Sequence, residues 1–219
     1  MIDWPYSAPD VDLQPDTTVA LALTGASGMP YAIRLLQCLL AARCKVWLLY
    51  SQVAQVVAAQ EMDLSLPSRA AEVEEKLSGW FSVPAGQLRV FGRDEWFAPI
   101  ASGSNPADAM VICPCTVGTL AAVAGGLSDN LIERAADVML KEQRKLILVP
   151  RETPYSAIHL ENMLKLARLG AVILPPNPGF YHRPDSVTQL VDYVVARILD
   201  QLGIGNRLLR RWGEAAADA

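Results

Sequence analysis

The sequence predicts an α/β domain of three layers, a mainly parallel sheet with helices on both faces. Two observations predict it. Short, continuously apolar runs recur along the chain, without the alternation of a sheet that has one wet face, and such runs suit strands buried on both sides. Stretches with helical spacing separate them, the β-α-β order of a doubly wound sheet. The 219 residues, 52% hydrophobic and 19% charged, are enough for one large core and exclude a disordered chain.

Residues 1–17, with three prolines and four aspartates, read as a loose acidic arm; residues 18–203 form one domain and 204–219 a tail. Thr18–Thr24 (TVALALT) is the first strand, followed by Gly25-Ala26-Ser27-Gly28 and a helix over Met29–Ala42. Lys45–Tyr50 (KVWLLY) is the second, and Ser51 opens a helix to about Gln60. A polar helix follows near Ala70–Trp80, then a short strand at Leu88–Phe91 and a loop rich in Gly, Ser and Pro. Ala109–Cys113 is the next core strand, with two helical stretches to about Glu142. Lys145–Val149 and Ala171–Leu174 are further strands, separated by a helix over Ala157–Leu169. In the last helix Ser186 and Gln189 have capping-box spacing, apolar residues recur from Val187 to Leu202, and Gly203 stops it.

Composition excludes several functions. A net charge of −4 argues against a nucleic-acid binder, which depends on Lys and Arg against phosphates. Two histidines, His159 and His182, cannot build a His-rich metal site, and no metal is expected. The four cysteines lack the density of a disulfide scaffold. No basic start of a signal peptide and no apolar run of about 20 residues is present, so a cytoplasmic protein without a membrane span is expected.

In an open α/β sheet ligands bind beyond the carboxyl ends of the strands. Those ends carry Thr24–Gly28, Ser51, Pro114-Cys115-Thr116 and Pro150-Arg151-Glu152-Thr153. Gly25–Gly28 enters a helix N-terminus, which favours an anion. Tyr31 replaces the third glycine of a dinucleotide fingerprint, and no acid ends the second strand, which favours a mononucleotide such as FMN over NAD. A plain glycine turn explains the same residues equally well. Arg134 and Lys141 share a helix face roughly 10 Å apart, although an Asp137–Lys141 surface pair accounts for the spacing too. Arg197 edges an apolar stripe, where it either binds an anion or lays its stem on the core. Glu152 suits proton transfer or simple pairing with Arg151, and Trp96 suits a cation face or a loop anchor. Tyr181 and His182 sit in a Pro-rich loop as lid residues or as ordinary packing.

From Thr18 to Trp212 the chain resembles the flavin prenyltransferase (UbiX-like) family. The resemblance rests on TGASG (Thr24–Gly28), ASGS (Ala101–Ser104), MVICPCTVGTL (Met110–Leu120) and DNLIERAADVMLKE (Asp129–Glu142). It continues through LVPRETP (Leu148–Pro154), HLENMLKL (His159–Leu166), GAVILPP (Gly170–Pro176) and GFYHRP (Gly179–Pro184). It implies a flavodoxin-like fold and a metal-independent reaction that joins a dimethylallyl group from dimethylallyl monophosphate to N5 and C6 of reduced FMN. It further implies a dodecamer with sites between subunits, and a UbiD-like decarboxylase that receives the prenylated FMN. By the resemblance Gly25, Ala26, Ser27, Ser51, Thr116, Val117, Gly118, Thr119 and Arg151 hold FMN. Lys141, Tyr181 and Arg197 grip the prenyl phosphate, with Arg134 from a neighbouring subunit and Glu61 as a further site acid. Trp96 faces the allyl chain, Glu152 is the catalytic carboxylate, and Ser27 orients the reacting group. The alternatives are an FMN-dependent cysteine decarboxylase of the phosphopantothenoylcysteine type, disfavoured by histidines placed late in the chain, and a non-enzymatic FMN carrier.

Overall fold

The structure is a computed structural model and describes residues 4–213. Its core is a six-stranded sheet in the order β3-β2-β1-β4-β5-β6, in which every neighbouring pair is parallel. The strands are β1 (Thr18–Leu23), β2 (Lys45–Tyr50), β3 (Leu88–Phe91), β4 (Ala109–Cys115), β5 (Lys145–Pro150) and β6 (Val172–Ile173). The helices are α1 (Met29–Ala41), α2 (Gln52–Met62), α3 (Ala70–Phe81), α4 (Val117–Gly125), α5 (Leu131–Lys141), α6 (Ala157–Arg168) and α7 (Val187–Leu202).

Side chains alternate along the strands between two cores. Leu21, Val111 and Ile147 join the cluster packed under α1 and α7, whereas Ala22, Ile112 and Leu148 join the one under α4 and α5. This is the period-two pleat with apolar residues on both faces, the reason the strands read as unbroken apolar runs. β1 lies between β2 and β4, so the chain winds outward from it in both directions, and a crevice opens where β1 and β4 part.

Two local expectations change. Ser186 accepts from the Gln189 N–H at 3.4 Å, but the Gln189 side chain accepts from Asp185 N at 3.2 Å, so no reciprocal box forms on α7. The reciprocal pair opens α6 instead, where Ser156 Oγ accepts from His159 N and His159 Nδ1 accepts from Ser156 N. The arm is not loose from residue 4 onward. Trp4 packs on Trp80 and donates to Gln37, the Ser7 carbonyl accepts from Arg34, and Val11 bridges to Asn206. Arg34 is itself buried and donates through Nε to Asp192 at 2.7 Å, tying α1 to α7.

Candidate active site

Four strand ends are stitched into one floor. Thr24, buried after β1, donates its hydroxyl to the Pro114 carbonyl at 2.7 Å and accepts from Thr116 N at 2.8 Å. Pro114 supplies no N–H to the sheet, and the β4–β5 register shifts between Ile112 and Cys115, so the Thr24 hydroxyl replaces ladder bonds there. Arg151 N donates to the Cys115 carbonyl, and Ser51 N to the Leu23 carbonyl. The result sets Gly25–Ser27, Ser51, Thr116–Thr119 and Arg151 along one edge of the sheet.

Three helices open on this floor: Ser51 caps α2 by accepting from Ala54 N at 3.1 Å, and the mouths of α1 and α4 differ. At α1 the expected anion seat is already filled: Glu61, from the end of α2, accepts from Met29 N at 2.8 Å and from Gly28 N at 3.0 Å. The carboxylate meets the positive helix end within the molecule. At α4, Thr116 caps with its hydroxyl on Thr119 N at 3.0 Å, while Val117 and Gly118 have no intrahelical acceptor for their N–H groups. A Cβ on Gly118 would meet only Thr116 Oγ1 at 3.8 Å, so the mouth of α4 is open to a ligand. Gly25 is a glycine for another reason: Val53 of α2 occupies the place of its Cβ.

Arg151 carries the clearest sign of a missing partner. Its Nε is buried and has no acceptor among the described residues. A buried guanidinium N–H without a partner is costly, and an anion or carbonyl beside it removes that cost. The open α4 mouth, the Ser51 and Ser27 hydroxyls and Arg151 together fit a phosphate-bearing flavin. Beside Arg151, the Glu152 carboxylate is partly exposed and accepts from Thr153 N at 3.1 Å.

The remaining residues fall into two other groups. Tyr181 and Arg197 come together around a cavity of about 300 Å³ shared with Tyr193 and Asp200. Arg197 pairs with Asp200 at 2.7 Å, and burial raises the Tyr181 hydroxyl pKa, with Tyr193 adding to it and Arg197 opposing. Trp96, Arg134 and Lys141 belong to α5 and the loop against it. Arg134 donates to the Ala101 carbonyl and pairs with Asp137, Lys141 covers Gly103 and pairs with Glu142, and Trp96 is 45% exposed. The Asp137–Lys141 pair that the spacing allowed does not form.

Lys141 leads into the start of β5 and Glu152 follows its end, so six strand residues, or about 20 Å, separate them. One chain therefore does not bring Lys141 to the carboxyl edge of the sheet. A larger cavity, about 860 Å³, lies at the opposite, amino edge, beside Arg43, Lys45 and Gln87, and has no part in this site.

The family model described as Flavoprotein matches residues 8–199. The flavin prenyltransferase UbiX of Pseudomonas aeruginosa is 59% identical over 196 residues, covering 90% of this chain and 94% of that protein. The chain belongs to the flavin prenyltransferase UbiX family. The Methanocaldococcus jannaschii member is 44% identical over 195 residues, covering 89% of this chain and 98% of that protein. Among solved structures, AnUbiX in complex with FMN and dimethylallyl pyrophosphate superposes with a TM-score of 0.81 at 37% identity, covering 91% of this chain and 98% of that one. A dodecameric FMN-dependent UbiX-like decarboxylase from Escherichia coli gives 0.80 at 38%, covering 90% and 100%. A PPC decarboxylase, at 20% identity and 0.51, shares the fold alone.

Within this UbiX family frame, three long-range contacts have no signal in the local sequence. Thr24 stands in the strand-end run Thr24–Gly28, but nothing nearby announces that its hydroxyl locks β1 to β4. Glu61 was placed at the site by resemblance, but its contact with α1, 33 residues away, has no local signal. Trp212 of the tail packs edge-on against Tyr181 at 5.0 Å, a neighbour that neither spacing nor motif announces.

Proposed function

We propose that this chain is a metal-independent flavin prenyltransferase, joining a dimethylallyl group from dimethylallyl monophosphate to N5 and C6 of reduced FMN. The observation that carries the reading is Arg151, whose buried Nε has no acceptor among the described residues at the meeting of four strand ends, in a chain 59% identical to a flavin prenyltransferase. Reduced FMN, when bound, supplies the electron-rich ring that takes the allyl group.

The chain's own residues do the rest. Gly25, Ala26, Ser27, Ser51, Thr116–Thr119 and Arg151 hold the flavin, with its phosphate at the mouth of α4. Tyr181 and Arg197, with Lys141 and Arg134 from neighbouring copies, neutralise the phosphate as the allylic C–O bond breaks and negative charge gathers on oxygen. Trp96 offers an indole face to the allyl group, since a ring quadrupole stabilises positive charge without bonding to it. Glu152 receives a proton at its carboxylate, sharing the task with the released phosphate, and Ser27 orients the group that gives it up. Glu61 holds the entrance of α1 and so fixes the Gly25–Gly28 turn.

The distance between Lys141 and Glu152 supports a site completed between copies, and a dodecamer is the assembly proposed. The recipient of the prenylated FMN is proposed to be a UbiD-like decarboxylase. No described helix is long and apolar enough to cross a membrane, and the cytoplasm is the proposed compartment.

The test is anaerobic incubation with reduced FMN and dimethylallyl monophosphate, followed by mass spectrometry of the flavin. Gain of one C5 unit is expected, and Glu152→Gln should bind FMN while forming little product. Undiminished turnover by that variant removes Glu152 from its role; bound but unaltered flavin in the wild type points to a carrier.

A further inference from the structure

We propose that the cavity between the Tyr181–Arg183 loop and the segment Arg210–Gly213 binds a phosphate group, as a second anionic subsite beside the donor phosphate. The proposal rests on the prenyltransferase reading and extends it to a diphosphate donor or to the phosphate released.

The lining is cationic. The cavity, about 560 Å³, is bounded by Tyr181, His182, Arg183, Arg210, Arg211 and Trp212 with Gly213, and none of these is an acid. Guanidinium groups present planar forks that match phosphate oxygens, which makes clustered arginines a phosphate site in chemistry as well as in charge. His182 adds an independent sign: both of its ring nitrogens are buried and without a partner among the described residues, while its ring is held stacked on Tyr193 at 5.5 Å and 7°. An imidazole fixed at the wall with both nitrogens unsatisfied is suited to a ligand that accepts a hydrogen bond.

The wall is also built in place. Arg211 pairs with Asp200 at 2.8 Å, and Trp212 sits on Tyr181. Farther back, Asn206 bridges to Val11, and Arg207 pairs with Asp10 at 3.1 Å and Asp12 at 3.3 Å. The acidic arm thereby gains a function: it seats the segment that carries Arg210 and Arg211.

Position specifies the ligand. Tyr181, Arg210, Arg211 and Trp212 border both this cavity and the smaller one that contains Arg197. A donor whose first phosphate meets Tyr181 and Arg197 directs a second phosphate here. Asp200, the acid nearest to Arg197, is engaged by both Arg197 and Arg211, so its charge is offset where the anion sits.

Titration calorimetry of the full-length protein loaded with oxidised FMN tests the site with three probes: dimethylallyl monophosphate, dimethylallyl diphosphate and inorganic phosphate. Arg183→Gln and Arg210→Gln are each expected to shift the diphosphate-to-monophosphate affinity ratio by about tenfold toward the monophosphate. If inorganic phosphate weakens by about tenfold while the donor ratio holds, the subsite stands with released phosphate as its ligand. An unchanged ratio together with unchanged phosphate affinity overturns the proposal, whether the two donors keep their affinity or weaken equally. FMN affinity and melting temperature report folding, and Arg210→Gln, on the exposed tail, serves alone if the loop variant does not fold. Transfer of a C5 unit from the monophosphate by the wild type is scored separately. Failure there removes the parent reading whatever the phosphate probes show.

Discussion

Replacing Thr24 by valine is a direct test of how the site floor is held. Valine keeps the shape and the β-branching, so strand propensity and packing are preserved. It removes the donor to Pro114 O at 2.7 Å and the acceptor for Thr116 N at 2.8 Å, at a residue only 2% exposed. Thr116 N–H is then stranded, at about 1–3 kcal/mol, and the lost hydroxyl–carbonyl bond adds about 1 kcal/mol. Pro114 O retains Thr24 N at 3.2 Å, which limits the damage on that side. The sum, about 2–4 kcal/mol, corresponds to a fall in melting temperature of about 4–16 °C for a chain of this size. Thr24→Ser keeps both bonds and loses one methyl, so about 1 kcal/mol is expected. Thermal unfolding followed by circular dichroism, at fixed protomer concentration, separates the two. FMN titration should also show weaker binding for Thr24→Val, because Thr116 caps the α4 mouth. A valine variant that melts within about 2 °C of wild type, or a serine variant that falls equally far, refutes the reasoning.

Glu61→Ala leaves the Gly28 and Met29 N–H groups without their acceptor and should cost about 1–3 kcal/mol, read as a lower urea midpoint. Burial pushes the thiols of Cys38 and Cys115 up to about 12 and that of Cys44 up to about 11, with Cys113 also raised; no cysteine should react quickly with a thiol reagent at pH 8 until the protein is unfolded. Burial also raises the Asp192 carboxyl above its ordinary value of 3.8, with Arg34 opposing. A raised folded value means that protonation favours the native state: this contribution is full below about 3.8 and is lost as pH rises through the raised value. Wild type should therefore gain stability relative to the non-titrating Asp192→Asn as pH falls through that window, and an unchanged difference in urea midpoint between pH 7 and 4 would contradict it.

The architecture was legible because each strand is an apolar run closed by turn residues, and burial on both faces erases alternation. β2 and β3 begin and end where the pattern sets them, whereas Ala171–Leu174 shortens to Val172–Ile173 at the edge of the sheet. The capping box moved from α7 to α6 because a three-residue spacing does not say which backbone N–H the side chain will reach. The arm read as loose because its ties, Trp4 to Trp80 and Val11 to Asn206, are long-range.

The site divides in the same way. By itself the sequence determined which residue types stand at the strand ends, and therefore that the carboxyl edge of a parallel sheet would carry the chemistry. Tertiary structure decided which of two helix mouths stays open, because Glu61 closes α1 from 33 residues away while Thr116 leaves α4 accessible. It also decided that Lys141 and Glu152 lie at opposite ends of one strand, that Trp212 packs on Tyr181, and that Asp10 and Asp12 pair with Arg207. The physical reason is that strand and helix periods are local, whereas hydrogen-bond satisfaction and charge pairing depend on which distant segments the fold brings into contact.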